Sequence, residues 1–159
     1  MKYLYDLFTN YISVSTVCGW LIAQILKAMT GVFKLKKFSL SEFFFGTGGM
    51  PSSHTAAVCA LACASGIKCG LGSPAFAISA TLAFIVMRDA MGMRREVGNH
   101  AKALNMIIKE YYNTPNKNHE HQSEMLKELV GHTPLQVFLG ALIGIIIPFV
   151  VALIPVFNV

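Results

Sequence analysis

Residues 134–157 read PLQVFLGALIGIIIPFVVALIPVF, a run without a single charged side chain. At about 1.5 Å of rise per residue a helix of this length crosses a hydrocarbon core of about 30 Å, so Pro134–Phe157 predicts a membrane span. Working outward, a second stretch of similar character runs from about Ile12 to Gly31. Two weaker runs, Thr55–Leu71 and Pro74–Met87, lie between them and are separated by the turn residues Gly70, Gly72 and Pro74. The first of these is rich in small residues (Ala56, Ala57, Ala60, Ala62, Ala64, Ser65, Gly66), which let helices approach closely. Together they predict a helical hairpin inside the bundle, with Lys68 near its outer tip.

Composition points the same way. Of 159 residues, 54% are hydrophobic and 13% charged, against roughly 25% charged in an average soluble domain. The mean hydropathy of +0.55 leaves too little polar surface to cover a soluble core. The expected fold is therefore all-α, an integral membrane bundle forming one domain over 1–159. Its spans are expected at about 12–31, 55–71, 74–91 and 134–157, with a cytoplasmic amphipathic segment over 92–133. An unusually apolar soluble bundle is the alternative.

The net charge of +5 and a pI near 9.1 suit an anionic partner. The basic residues carry no aromatic-interleaved stripe, which argues against nucleic acid and toward lipid or phosphate. Cys59 and Cys63 share an apolar helix face while Cys18 and Cys69 stand apart, a pattern with no zinc or redox spacing, so all four read as packing residues. Met1–Tyr11 lacks the pattern of a cleaved signal peptide, and the first span is expected to remain in the mature chain.

Gly92–Gly131 differs from the rest. Ala101, Leu104, Ile107 and Ile108 recur at helical spacing among Arg94, Arg95, Glu96, Lys102, Lys109 and Glu110, which predicts an amphipathic helix at or outside the interface. A polar break over Asn113–His121 precedes a short helix near Ser123–Val130 that Gly131 would end. His119 and His121 fall in the break and read as solvated. With four spans, Lys34, Lys36, Lys37, Arg94, Arg95, Lys102, Lys109, Lys117 and Lys127 share one side, and Lys2 and Lys68 the other. Nine of 13 basic residues against two predicts that the first side is cytoplasmic.

Three junctions on that side carry chemistry. In Gly48-Gly49-Met50-Pro51-Ser52-Ser53-His54-Thr55, glycines permit close approach of backbone to a ligand and a serine can cap the next helix, whose amides and dipole attract an anion. His54 would stand beside such an anion as a proton donor; a capped helix start with an incidental histidine is the plainer reading. In Arg88-Asp89-Ala90-Met91-Gly92-Met93-Arg94-Arg95-Glu96-Val97-Gly98-Asn99-His100, the paired guanidinium groups suit phosphate oxygens, though membrane anchoring also explains arginines there. Asp89, a carboxylate ending an apolar run, calls for a partner. Gly131-His132-Thr133-Pro134 leads into the last span, and Lys27 approaches from the first, where snorkelling is its alternative role.

These three motifs, Gly48 to His54, Asp89 to Arg95 and Gly131 to Pro134, resemble the divergent branch of the phosphatidic acid phosphatase type 2 family, related to acid phosphatases and vanadium-dependent haloperoxidases. The resemblance runs from Gln24 and Lys27 to Val137. The wider superfamily has a Pro-Ser-Gly-His motif, matched by Pro51-Ser52-Ser53-His54 with Ser53 for glycine, which implies that His54 protonates the leaving group. It also has a Ser-Arg-five-residues-His-three-residues-Asp motif whose histidine is the nucleophile. Arg94 and His100 fit that spacing, Met93 replaces the serine, and Leu104 stands in the aspartate's place. Lys27 is similar to the lysine of the remaining motif, where Lys34-Leu35 replaces arginine-proline. The branch's own pattern includes the histidine of Gly131-His132-Thr133-Pro134, so His132 competes with His100 as nucleophile, the spacing from Arg94 slightly favouring His100.

The resemblance implies a membrane-embedded phosphatase acting on a lipid phosphomonoester or diphosphate, of phosphatidate, phosphatidylglycerophosphate or polyprenyl type, through a phosphohistidine. The catalytic set would be His54, His100, His132 and Asp89, with Lys27, Ser52, Ser53, Arg94 and Arg95 binding phosphate. No metal and no cofactor is expected, since nothing resembles a carboxylate cluster for magnesium. The site is expected at the cytoplasmic face of the cell membrane, and a homo-oligomer is compatible with the sequence. A non-catalytic protein that binds anionic lipid or scaffolds partners is the rival from another class. Vanadate-dependent halide oxidation is weaker, for no vanadate cage is complete.

Overall fold

A computed structural model describes residues 5–6, 8–35, 50–112, 126 and 132–157, with the backbone alone at 31–35, 93–95 and 111–112. Among the described residues five helices have defined ends: α1 (Tyr11–Leu35), α2 (Ser53–Cys69), α3 (Pro74–Met91), α4 (Met93–Tyr112) and α5 (Pro134–Ala152). The described residues contain no strand.

Local chemistry sets the helix ends. Asn10 Oδ1 accepts the amides of Ile12 (2.9 Å) and Ser13 (3.2 Å), opening α1. Ser73 Oγ accepts the Phe76 amide at 3.2 Å, and Pro74 at the first helical position costs no hydrogen bond. Gly70 stops α2 at φ +86°, a conformation glycine adopts without a Cβ penalty, and its N–H reaches Gly66 O at 3.0 Å. α5 opens with a capping box: Thr133 Oγ1 accepts from Gln136 N at 3.4 Å and Gln136 Oε1 accepts from Thr133 N at 2.8 Å. The final span, expected to run to Phe157, is helical only to Ala152. Beyond it i→i+3 turns take over, and Pro155 has no N–H with which to continue the ladder.

Among the described residues three helical runs are long and apolar enough to cross a membrane: Tyr11–Thr30, a run within Pro74–Glu110, and Pro134–Ala152. With 17 residues, about 26 Å, α2 is shorter, and its surroundings explain its weak hydropathy. It packs against α1, α3 and α5 at once, so it has little need of side chains that face lipid. Its stripe Ser52, Ala56, Ala60 and Ala64 is wholly buried. Gly140 and Gly144 of α5 press on this stripe so closely that a Cβ at Gly140 would collide with Ser52 O. One at Gly144 would collide with Ala56 O and lie 2.7 Å from Cys59 Cβ. On the other flank, a Cβ at Gly19 of α1 would lie 3.0 Å from Ala60 Cβ. Backbone contact of this kind is what small-residue spacing permits where lipid supplies no hydrophobic drive between helices.

The pattern of burial is inverted relative to a protein in water. Ser15, Gln24, Ser52, Ser53, Thr55, Ser65 and Ser79 are buried, whereas Val17, Ile25, Phe84, Ile85, Phe138, Ile146 and Phe149 face outward. Water would penalise an apolar belt this extensive, and lipid requires it, so the soluble alternative gives way to a membrane bundle.

Candidate functional site

The polar end of the bundle is built around the short link before α2. Ser52 is extended (φ −74°, ψ 110°) and its Oγ caps α2, accepting from the Thr55 amide at 3.5 Å and from the Thr55 hydroxyl at 3.0 Å. Its own N–H donates to Gln136 O in the first turn of α5 at 3.1 Å. On the opposite side the Thr30 hydroxyl, near the end of α1, donates to Met50 O at 2.8 Å. The link is thus fastened to α1 and to α5. Ser52 and Ser53 are buried, and His54 is exposed on the first turn of α2, where helix amides lacking intrahelical partners give a positive end to the dipole.

Register places two more groups at this end. Gly19 and Ala23 lie on the α1 face that meets α2, and Lys27, one further turn along, continues that face and is half-buried. Because Gly19 sits beside Ala56 and Ala60 while Thr30 meets Met50, Lys27 is level with the link. On α3, Met87 Sδ lies 4.0 Å from Cys59 Sγ; Asp89, half-buried, is two residues or about 3 Å nearer the link. Arg94 and Arg95 occupy the first turn of α4, directly after Gly92, and their side chains are outside the described residues, as are Gly48, Gly49 and Gly131. The break expected over Asn113–His121, with His119, and the short helix near Ser123–Val130 also lie outside, apart from Leu126. That residue is held by Asn105, whose Nδ2 donates to Leu126 O (2.9 Å) and whose Oδ1 accepts Leu126 N–H (3.0 Å).

The two candidate nucleophiles are placed differently. His132, partly buried, precedes α5, and its Nδ1 is 3.3 Å from Gln136 Oε1. Since Gln136 also bonds the link through its carbonyl, His132 belongs to the same cluster as Ser52. His100 is exposed on α4, and among the described elements α4 packs on α3 alone. His132 therefore has a hydrogen-bonded connection to the link that leads into His54, and His100 stands on a helix outside the α1–α2–α5 core.

Sequence reading passed over Gln136, Gly140 and Gly144. Each had a signal: Thr133 to Gln136 has the spacing of a capping box, and Gly140 to Gly144 is the G-x-x-x-G of close helix pairs. Among the described residues no group of three or more His, Cys, Asp or Glu is arranged to hold a metal ion.

Residues 8–147 match the model of a family described as the Divergent PAP2 family. The chain is 37% identical over 154 residues to YuiD of Bacillus subtilis (strain 168), described as an uncharacterized membrane protein; the match covers 92% of this chain and 97% of that one. No solved structure matches. A family match over most of the chain and a relative of nearly equal length agree with the apolar-outside helical bundle: the chain belongs to the divergent PAP2 family and is a membrane protein.

Proposed function

We propose that this protein is a membrane-embedded phosphatase that hydrolyses a lipid phosphomonoester or diphosphate at the cytoplasmic face of the cell membrane. The observation that carries the reading is the hydrogen bond from Ser52 N–H to Gln136 O, which ties the link that leads into His54 to the helix start that follows His132. Two histidines and a helix N-terminus then lie at one end of the bundle, near Lys27 and Asp89, with Arg94 and Arg95 on the first turn of α4.

In this reading the phosphate sits over the first-turn amides of α2, and Lys27, Arg94 and Arg95 balance its charge. Ser52 and Ser53 shape the turn that presents those amides. His132 attacks phosphorus in line as the P–O bond to the lipid breaks, and His54 gives its proton to the departing oxygen. His54 then takes a proton from water as that water attacks the phosphohistidine; the P–N bond breaks and both histidines return to their starting states. Asp89 supports the positive charge that His54 carries before the first step and regains in the second. His100 keeps the Arg94 spacing and is the competing nucleophile. Phosphatidate, phosphatidylglycerophosphate and polyprenyl phosphates or diphosphates are the substrates within reach of an inner-leaflet site.

The departures at Met93 and Leu104 favour the rival reading, a non-catalytic binder of anionic lipid. Phosphate release by the purified protein from a panel of these lipids, with chelator present, separates the two. The phosphatase reading expects turnover that His54→Ala and His132→Ala abolish and His100→Ala retains. Folded protein that binds the lipids and releases no phosphate from any of them overturns it.

A further inference from the structure

We infer that Gln136 is the positioning residue of the site: it sets the tautomer of His132 and, through its backbone, the place of the link before α2. The inference rests on the phosphatase reading for its catalytic meaning and on hydrogen-bond geometry for its content. The Thr133 N–H can only donate, so the Gln136 side-chain atom 2.8 Å away is the carbonyl oxygen and the amide orientation is fixed. That oxygen is also the atom 3.3 Å from His132 Nδ1. It has lone pairs and no hydrogen, so the ring nitrogen facing it must carry the proton. His132 is thereby held with hydrogen on Nδ1 and the lone pair on Nε2, the nitrogen that attacks phosphorus.

The same residue acts in a second direction. Its backbone carbonyl accepts the Ser52 N–H at 3.1 Å, so a shift of the first turn of α5 moves the histidine and the link together. Gln136 sits one helical turn after His132 and partly buried, which limits the freedom of both hydrogen bonds. A neutral amide orients an imidazole as a carboxylate would, without adding a negative charge beside the incoming phosphate.

Nitrogen-15 NMR of the histidine-labelled protein in detergent, with His132 assigned by comparison with His132→Gln, reads the tautomer without reference to turnover. The expected result is the Nδ1–H tautomer for His132 in the parent protein and in Gln136→Glu, which keeps an acceptor oxygen, and a mixture of tautomers in Gln136→Leu. Turnover should fall 10-fold to 100-fold in kcat for Gln136→Leu with KM changed less than threefold, and Gln136→Glu should recover only part of it, with a raised KM, because it restores the acceptor oxygen and adds a charge that opposes the phosphate. A dominant Nε2–H tautomer in the parent protein overturns the inference, and so does equal kcat in Gln136→Leu and parent. Should the tautomer be as expected while no lipid phosphate is hydrolysed by the parent protein, the phosphatase reading fails and the structural role of Gln136 stands.

Discussion

Adding one methyl group at a series of glycines tests the backbone contact between α2 and α5, because the space at each differs by known amounts. A Cβ at Gly72 meets nothing within 4 Å, so Gly72→Ala should be neutral to within about 0.5 kcal/mol. At Gly19 the new atom would lie 3.0 Å from Ala60 Cβ and 3.3 Å from Ala56 O. The helix preference of alanine, up to about 1 kcal/mol, should offset that crowding. At Gly144 it would strike Ala56 O and come 2.7 Å from Cys59 Cβ and 3.0 Å from Ala60 N. Two of these are backbone atoms that no rotamer change can move, so overpacking at the upper part of its range of about 1–3 kcal/mol exceeds the propensity gain. Gly140→Ala collides with Ser52 O and approaches Thr55 Cβ to 3.1 Å, with the same consequence. Both α5 variants should lose about 1–2 kcal/mol in equilibrium unfolding of the detergent-solubilised protein. On the phosphatase reading they should differ in turnover, because Gly140 presses on the link itself and Gly144 one turn deeper. A displacement of about 1 Å at reacting groups costs up to about 100-fold, so Gly140→Ala should be much the poorer catalyst at equal stability. If Gly144→Ala proves as stable as the parent, the helices are not in backbone contact and the reasoning fails.

Three further outcomes are expected. If His54 is the proposed proton donor, His54→Gln should lower kcat about 100-fold or more while leaving binding of anionic-lipid vesicles intact, and parallel loss of both would show a general collapse. Thr133→Ala removes the cap of α5 and should cost about 1 kcal/mol in unfolding, whereas Thr133→Ser should restore it. Cys69 is exposed beside the α2–α3 turn, opposite the polar end. In a background with Cys18, Cys59 and Cys63 changed to serine, a membrane-impermeant maleimide should label it on intact cells, and labelling only after permeabilisation would reverse the orientation.

The hairpin was legible because its signals are local: Ser73-Pro74 starts a helix and Gly70 ends one whatever surrounds them. The boundaries slipped where a single residue decided them. The Ser52 cap starts α2 at Ser53, two positions before the expected Thr55, and Pro155 helps shorten the last helix. The expectation that the hairpin lies within the bundle came from the small residues of its first helix: α2 packs on three helices and agrees, whereas α3 packs mainly on α2 and turns Ile78, Phe84 and Ile85 outward. What faces those small residues was not legible, for Gly140 and Gly144 are apolar padding in a hydropathy reading and become contact points only when a second helix is laid against them. The site divided in the same way. His54, His100 and His132 stood out by type and junction as candidates, the Arg94 spacing slightly favouring His100 over His132, but Gln136, one polar residue at the head of an apolar run, has meaning only through hydrogen bonds to His132, Thr133 and Ser52.

Those bonds also bear on how a polar cluster can sit at the end of a lipid-facing bundle. Burying an amide or hydroxyl without a partner costs several kcal/mol, so the link can be drawn against α5 only if its polar groups are satisfied within the protein. Ser52 meets that condition: its hydroxyl engages Thr55, and its N–H engages Gln136. Meeting it requires the two backbones to lie in contact, and Gly140 and Gly144 permit that approach. The glycines of α5 are therefore as much a condition of the proposed site as the histidines, since a larger residue at Gly140 would push Ser52 away from Gln136 and separate His54 from His132.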